Sequence, residues 1–92
     1  MEPQVTDDQR YSGLLTVYRL RSFAAAAVEL SLTASAVSKQ IRSLESDLGR
    51  PLFIRSGSRL IPTRACEAIV PFAEKIDALC VRMQQELAST DH

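Results

Sequence analysis

The stretch Ala36–Arg55, AVSKQIRSLESDLGRPLFIR, decides the fold. Its apolar residues recur at helical spacing, which predicts a helix with one buried face. They are Ala36, Val37, Ile41, Leu44 and Leu48. Gly49 stands in the C-cap position and is followed by Pro51, which cannot continue a helix. With Thr33 as a candidate N-cap, the stretch predicts a helix that ends sharply at Gly49.

Two further helices are predicted upstream of this stretch. The first covers Gln9–Arg21, where apolar residues again recur at helical spacing. Ser22 is an N-cap candidate for the second, the short and alanine-rich segment Phe23–Leu30. A turn of about three residues separates this segment from the helix capped by Thr33, which is the outline of a helix-turn-helix.

A β-hairpin is predicted downstream, since Leu52–Arg55 and Arg59–Ile61 are short apolar strands around a turn that contains Gly57. Thr63 is then placed to cap a last helix that runs to about Leu87. Pro71 lies inside this helix and is expected to kink it or to weaken one turn.

The last helix carries six apolar residues spaced 4-3-4-3-4, which is a heptad pattern. They are Ala65, Ile69, Phe72, Ile76, Leu79 and Met83. Such a seam packs either back onto its own domain or onto the helix of a partner, and one long helix has faces for both. The spacing alone leaves these two interpretations open.

Length and composition restrict the class of protein. Ninety-two residues make one domain, and 46% hydrophobic residues indicate a folded chain rather than a disordered one. The longest apolar run, Phe23–Val28, has six residues, far below the roughly 20 of a membrane span. The N-terminus is acidic, unlike a secretory signal, and Cys66 and Cys80 are expected to be reduced thiols. These features predict a cytoplasmic protein with no membrane partner.

The sequence predicts no catalytic or metal site. The only histidine is His92, the last residue, so no cysteine has a histidine beside it. A metal-type CxxC pair and a glycine-rich phosphate loop are also missing from the sequence. We therefore expect neither enzymatic activity nor a cofactor.

Charge is distributed unevenly along a chain whose formal net charge is zero. Residues 1–9 carry −3, residues 10–38 carry +2, residues 39–64 carry +4 and residues 65–92 carry −3. A basic middle between acidic ends can steer a polyanion to one face of a neutral protein. The alternative is an ordinary solvated surface.

The motif Ser-x-x-Ile-x-x-Leu-Glu-x-x-Leu-Gly-x-x-Leu-Phe-x-Arg over residues 38–55 resembles the DNA-binding domain of LysR-type transcriptional regulators. The flanking sequence agrees from about Tyr11 to Met83. The resemblance implies a mainly α fold, a winged helix-turn-helix of three helices with a short β-hairpin wing, followed by a long linker helix through which two subunits dimerise. The expected divisions are a flexible N-terminus at 1–8, the winged helix at 9–63, the linker helix at 64–88 and a flexible tail at 89–92.

Family members are several times longer than this chain, which implies an effector-binding domain that the segment lacks. The chain is either an excised domain or a naturally short relative. In both cases we expect no small-molecule effector to bind this segment, and a higher oligomer in a longer parent protein stays open.

Four residues depart from the family pattern. Arg21 replaces the usual Gly before Ser-Phe, and Ala34 replaces a frequent Gln at the start of the recognition helix. Pro62 stands where an aliphatic residue is usual, and Cys66 stands where Gly is usual. Ala34 matters most for function, because its methyl group can contact a thymine methyl but cannot hydrogen-bond a base edge.

The resemblance and the charge pattern together give candidate DNA contacts. On the recognition helix they are Thr33, Ala34, Ser35, Ser38, Lys39 and Arg42. On the wing and at helix N-termini they are Arg55, Arg59, Thr63, Arg21 and Ser22. A wing arginine can bind phosphate or enter a narrow minor groove. The alternative for each hydroxyl is N-capping or plain solvation, and for each cation it is an exposed, solvated side chain.

These expectations combine into two candidate functions. The first is sequence-specific binding of double-stranded DNA by a homodimer on an inverted-repeat operator. The second is a winged-helix module that heterodimerises with longer relatives and modulates them. The basic segment 39–64 favours the first function.

Overall fold

The computed structural model describes residues 7–90 and shows a mainly helical fold. Helices α1 (Asp7–Leu20), α2 (Phe23–Leu30) and α3 (Ala34–Leu48) come first. Strands β1 (Phe53–Ser56) and β2 (Arg59–Pro62) form an antiparallel hairpin, and α4 (Arg64–Thr90) follows it. This is the predicted winged helix followed by a long helix.

The structure corrects the predicted flexible ends. Helix α1 includes residues 7 and 8, whereas residues 1–6 lie outside the described range. Helix α4 includes residues 89 and 90, since residues 84–88 are good helix formers and no glycine or proline follows them. Residues 91 and 92 again lie outside the described range.

The hairpin strands are shifted by about one residue from their predicted bounds. Strand β1 begins at Phe53 and not at Leu52, and β2 extends to Pro62. Phe53 pairs with Pro62, and Ser56 pairs with Arg59 beside the turn. Pro62 is tolerated because the end of an edge strand needs no further ladder donor.

One hydrophobic core joins the helix-turn-helix to the hairpin and to α4. The buried hydrophobic residues come from every helix, from β2 and from the segment between α3 and β1: Leu14, Val17, Ala26, Ala27, Val37, Ile41, Leu44, Leu52, Leu60, Cys66, Val70 and Ala73. The buried residues of α2 are both alanines, and their short side chains let neighbouring helices pack close to it. Leu60 is the point at which the wing is held to this core.

The predicted caps set the start of α2 and both ends of α3. Ser22 Oγ accepts the Ala25 N–H at 3.1 Å, and Thr33 Oγ1 accepts the Ala36 N–H at 3.1 Å. Gly49 has a φ of +70°, a left-handed conformation that suits glycine and ends α3. The start and end of α3 are therefore set by local chemistry.

The predicted seam of α4 is covered at its N-terminal end and exposed further along the helix. Ala65 and Ile69 pack against the core of their own domain. Phe72, Leu79 and Met83 are 64%, 61% and 58% exposed, and Ile76 is half-buried. The helix continues through Pro71 without interruption, although this residue has no N–H to donate. Among residues 7–90, no helix is both long enough and apolar enough to span a membrane.

Both cysteines are free thiols in different environments. Cys66 is buried in the core and Cys80 is half-buried on α4. Burial raises the pKa of the Cys66 thiol to about 11, and the nearby Glu67 carboxylate adds to the rise. Cys66 is therefore a protonated core side chain in the position where the family pattern has Gly.

Candidate nucleic-acid interface

Helix α3 presents one polar face to solvent opposite its buried stripe. Five of the six candidate residues on this helix are exposed and Ser38 is half-buried; the exposed ones are Thr33, Ala34, Ser35, Lys39 and Arg42. Arg42 Nη2 donates to Ser38 Oγ at 2.9 Å, so the Ser38 hydroxyl keeps its own proton for another acceptor. The face therefore offers hydrogen-bond donors from Ser38, Lys39 and Arg42.

The wing places its two arginines on opposite faces of the hairpin. Arg55 pairs with the buried Leu60, so its side chain lies on the face towards the helices. Its guanidinium carbon is 5.8 Å from the centroid of the Phe23 ring. Arg59 lies at the turn, paired with Ser56, and is exposed. Arg55 is therefore positioned against α2, whereas Arg59 extends from the tip.

Glu45 fixes the wing to α3, a role that the sequence reasoning missed. Its Oε2 accepts the Leu52 N–H at 2.7 Å and the Phe53 N–H at 3.4 Å. The available signal was its place four residues after buried Ile41, at the edge of the apolar stripe. A carboxylate here satisfies backbone donors at the start of β1 and so sets the angle of the hairpin.

Replacing Glu45 by Ala is expected to lower the free energy of unfolding by about 1.5–3 kcal/mol, because charge-assisted hydrogen bonds to part-buried amides are lost. Urea denaturation measures the change. Glu45→Gln keeps an acceptor oxygen and should lose less. Equal stability of Glu45→Ala and the unchanged chain would show that Glu45 does not hold the wing.

Two neighbouring grooves bring six of the eleven candidate residues together. The first, of about 260 Å³, is lined by Arg21, Ser22, Phe23, Ala24, Ala34, Arg55, Ser58 and Leu60. The second, also about 260 Å³, is lined by Phe23, Ser38, Ile41, Arg42, Glu45, Phe53, Arg55 and Leu60. Arg55 belongs to both grooves and joins the start of α2 to the exposed face of α3. Arg59 meets Arg21 and Ser58 in a third groove. Ser58 is a lining residue that the sequence reasoning missed.

Thr63 behaves differently from the other hydroxyl residues. Its Oγ1 donates to the Pro51 carbonyl at 2.7 Å and accepts the Cys66 N–H at 3.2 Å. The single hydroxyl proton is therefore engaged within the protein, which corresponds to the capping alternative. Ser22 and Thr33 use only an acceptor lone pair for their caps, so both retain a proton to donate.

Two arginines form ion pairs within the described residues, and the candidate contacts are not among them. Arg10 Nη1 contacts Asp47 Oδ2 at 2.6 Å, and Arg19 Nη2 contacts Glu29 Oε2. The candidate contacts make no ion pair within residues 7–90; they are Arg21, Lys39, Arg42, Arg55 and Arg59. Their positive charge is thus left without a carboxylate partner in the described part of the chain.

Comparison with known proteins gives the same assignment. A family model described as "Bacterial regulatory helix-turn-helix protein, lysR family" matches residues 10–67. The HTH-type transcriptional regulator HdfR of Escherichia coli is 39% identical over 84 residues, 91% of this chain and 30% of HdfR. The DNA-binding domain of CbnR, solved in complex with DNA, superposes with a TM-score of 0.83 at 25% identity, covering 95% of this chain and 100% of that chain. A mutant of Corynebacterium glutamicum OxyR superposes with a TM-score of 0.87 at 25% identity, covering 100% of this chain and 29% of that chain.

The matched region coincides with the site just described. Residues 10–67 include most of α1, all of α2 and α3, both strands and the start of α4. The chain spans about 30% of the length of the curated relatives that it matches. The proteins in these comparisons include transcriptional regulators and a domain solved on DNA. The chain belongs to the lysR family of bacterial regulatory helix-turn-helix proteins.

Proposed function

We propose that this chain binds double-stranded DNA sequence-specifically as the DNA-binding domain of a transcriptional regulator. The observation that carries the proposal is the group of five cationic residues, on α3, the wing and the start of α2, that have no carboxylate partner within residues 7–90. A DNA backbone supplies the missing negative charge. The solved complex of the CbnR domain with DNA supports the same use of this fold.

Helix α3 enters the major groove in this proposal. The groove admits one α-helix, and residues near the helix N-terminus reach the base edges. Ser35, Ser38 and Lys39 contact bases or nearby phosphates, and Arg42, one turn further on, binds phosphate. The exposed face of α3 supports these roles, since each of these side chains has a donor available to DNA.

Helix α4 makes the chain a homodimer in this proposal. This helix carries four large apolar side chains that are each more than half exposed: Phe72, Leu79, Met83 and Leu87. Isolated helix surface of this kind is stabilised by packing against a second apolar surface. Two-fold symmetry of the dimer then requires an inverted-repeat operator with half-sites separated by whole helical turns. The domain divisions proposed are the winged helix at 9–63 and the linker helix from residue 64.

The alternative, a module that only heterodimerises with longer relatives, leaves the unpaired cations of α3 and the wing without a role. DNA binding is therefore the preferred function, with no enzymatic activity proposed. A protein that regulates bacterial transcription acts where the chromosome lies, so we also propose a cytoplasmic location.

Base selectivity is expected to change at defined positions when α3 is altered. Ala34→Gln introduces an amide that can bond adenine bidentately, worth about 1–3 kcal/mol of discrimination at one base pair of each half-site. Lys39→Ala should weaken binding mainly on sites with guanine opposite the lysine. Affinities for all single-base variants of one operator measure both effects. Unchanged profiles in both mutants would show that α3 is not the reading helix in this register.

A salt titration on duplex DNA tests the proposed function. Binding through phosphate contacts gives a logarithm of the association constant that falls linearly and steeply with the logarithm of salt concentration. A chain that forms heterodimers with longer relatives but does not bind duplex at low salt would support the alternative.

A further inference from the structure

We propose that Arg21 and Arg55 together clamp one phosphate of the DNA backbone, with the Ser22 hydroxyl as a third donor, an inference that rests on the proposed function. The three residues come from the end of α1, the start of α2 and the wing. All of them line the same groove of about 260 Å³. Two guanidinium groups and a hydroxyl in one groove match the acceptors of a single phosphate.

Arg21 is held in place before DNA arrives. Its Nε donates to the Tyr18 carbonyl at 2.5 Å, and its guanidinium carbon lies 4.8 Å from the centroid of the Tyr18 ring. Tyr18 is itself fixed, because its hydroxyl donates to Glu67 Oε2 at 2.6 Å on α4. The two Nη groups of Arg21 donate to no residue within 7–90 and are free for an anion.

The backbone of Arg21 leaves its side chain beside the groove. Its φ of +56° lies in the left-handed region that side chains with a Cβ adopt at a steric cost. The family pattern has Gly at this position, where that cost is absent. The left-handed conformation ends α1, since the Arg21 N–H donates to the Val17 carbonyl at 2.7 Å, and it leaves the cation beside the groove.

Arg55 is held from the other side of the groove. The Phe23 ring lies 5.8 Å from its guanidinium carbon, and no carboxylate within residues 7–90 forms an ion pair with it. Glu45 lines the neighbouring groove, but its Oε2 is occupied by the amides of Leu52 and Phe53. Tyr18 and Phe23 are therefore positioning residues for the two arginines, and not ligands.

The salt dependence of DNA binding tests whether the arginines share one phosphate. If both arginines bind the same phosphate, each single variant, Arg21→Gly or Arg55→Ala, still has one cation on that phosphate. Each single variant should therefore lower affinity, while the slope of log association constant against log salt concentration changes little. The double variant should then lower the slope by about 0.9 per protomer. If the arginines bind separate phosphates, the slope should instead fall by about 0.9 per protomer in each single variant and by about 1.8 in the double variant. That result would overturn the clamp.

The controls separate the clamp from folding and from the proposed function. Arg21→Gly relieves the strained backbone but also removes the contacts of Arg21 with Tyr18, so thermal unfolding followed by circular dichroism checks that the variant is folded at the temperature of the binding measurement. Phe23→Leu should lower affinity by about two- to fivefold in the unchanged chain and have no effect in an Arg55→Ala background. A purely structural role of Phe23 would lower affinity equally in both backgrounds and contradict the positioning role. A chain that does not bind duplex at all would refute the proposed function instead.

Discussion

Leu79→Glu is expected to give a folded monomer that binds an inverted-repeat operator about 100-fold or more weakly. The side chain is 61% exposed in the single chain, so the substitution costs the fold little, and both residues are good helix formers. In a dimer the same position lies in the apolar seam, where a buried and unpaired carboxylate is strongly destabilising. A monomer binds only one half-site. It therefore loses the binding of the second, tethered subunit, which raises the affinity of a dimer by a factor of roughly 10²–10⁴.

Val81→Glu is the matched control for this variant. It introduces the same charge two residues further along α4, about 200° around the helix from Leu79. Val81 is 47% exposed and lies outside the heptad seam. Sedimentation over a range of concentrations should show a dimer for Val81→Glu and a monomer for Leu79→Glu. An unchanged chain that stays monomeric at high micromolar concentration would contradict the proposed interface.

The double variant Arg42→Ala/Arg59→Ala is expected to lose affinity for specific and random duplexes by similar factors. Each arginine is proposed to bind phosphate outside the clamp, so a dimer loses four contacts and its log–log salt slope should fall by about 3.6. If the unchanged chain and the double variant bind equally at about 1 M salt, the variant should bind about 4,000-fold more weakly at about 0.1 M. Fluorescence anisotropy of labelled duplexes across a salt series measures both quantities.

Arg19→Ala serves as the control for charge alone. Arg19 is exposed and paired with Glu29, so its removal should leave the salt slope nearly unchanged. Loss of affinity on the specific duplex only would mean that Arg42 or Arg59 discriminates between bases. An unchanged slope in the double variant would remove both residues from the phosphate contacts.

Local chemistry made the helix-turn-helix predictable from sequence. Helices α2 and α3 begin after the predicted N-caps, Ser22 and Thr33, and α3 ends at the predicted C-cap, Gly49. These were predictable because a cap acts on the few residues next to it. The apolar stripe of α3 predicts three of its buried residues, Val37, Ile41 and Leu44. Leu48 was also predicted in this stripe but is 43% exposed, whereas the polar Gln40 is buried. The candidate contacts lie on the remaining face. Exposed and buried positions alternate along β2, because successive side chains of a strand point to opposite faces.

Contacts between distant segments could not be predicted in the same way. Glu45 meets the amides of β1, and the proton of Thr63 goes to Pro51, twelve residues earlier in the chain. Periodicity placed Ala65 and Ile69 in one seam with Leu79, although the wing and helix-turn-helix cover only the N-terminal part of α4. The left-handed conformation of Arg21 was also hidden, since a glycine would have signalled it and an arginine does not.

The ratio of affinities for a selected and a random duplex of equal length is the most direct test of sequence-specific DNA binding. Duplexes retained by the 92-residue chain from a random pool supply the selected sequence. We expect it to contain an inverted repeat and to bind at least about 10³-fold more tightly than random duplex at the same salt concentration. Equal affinity for the two duplexes would contradict sequence-specific recognition by α3.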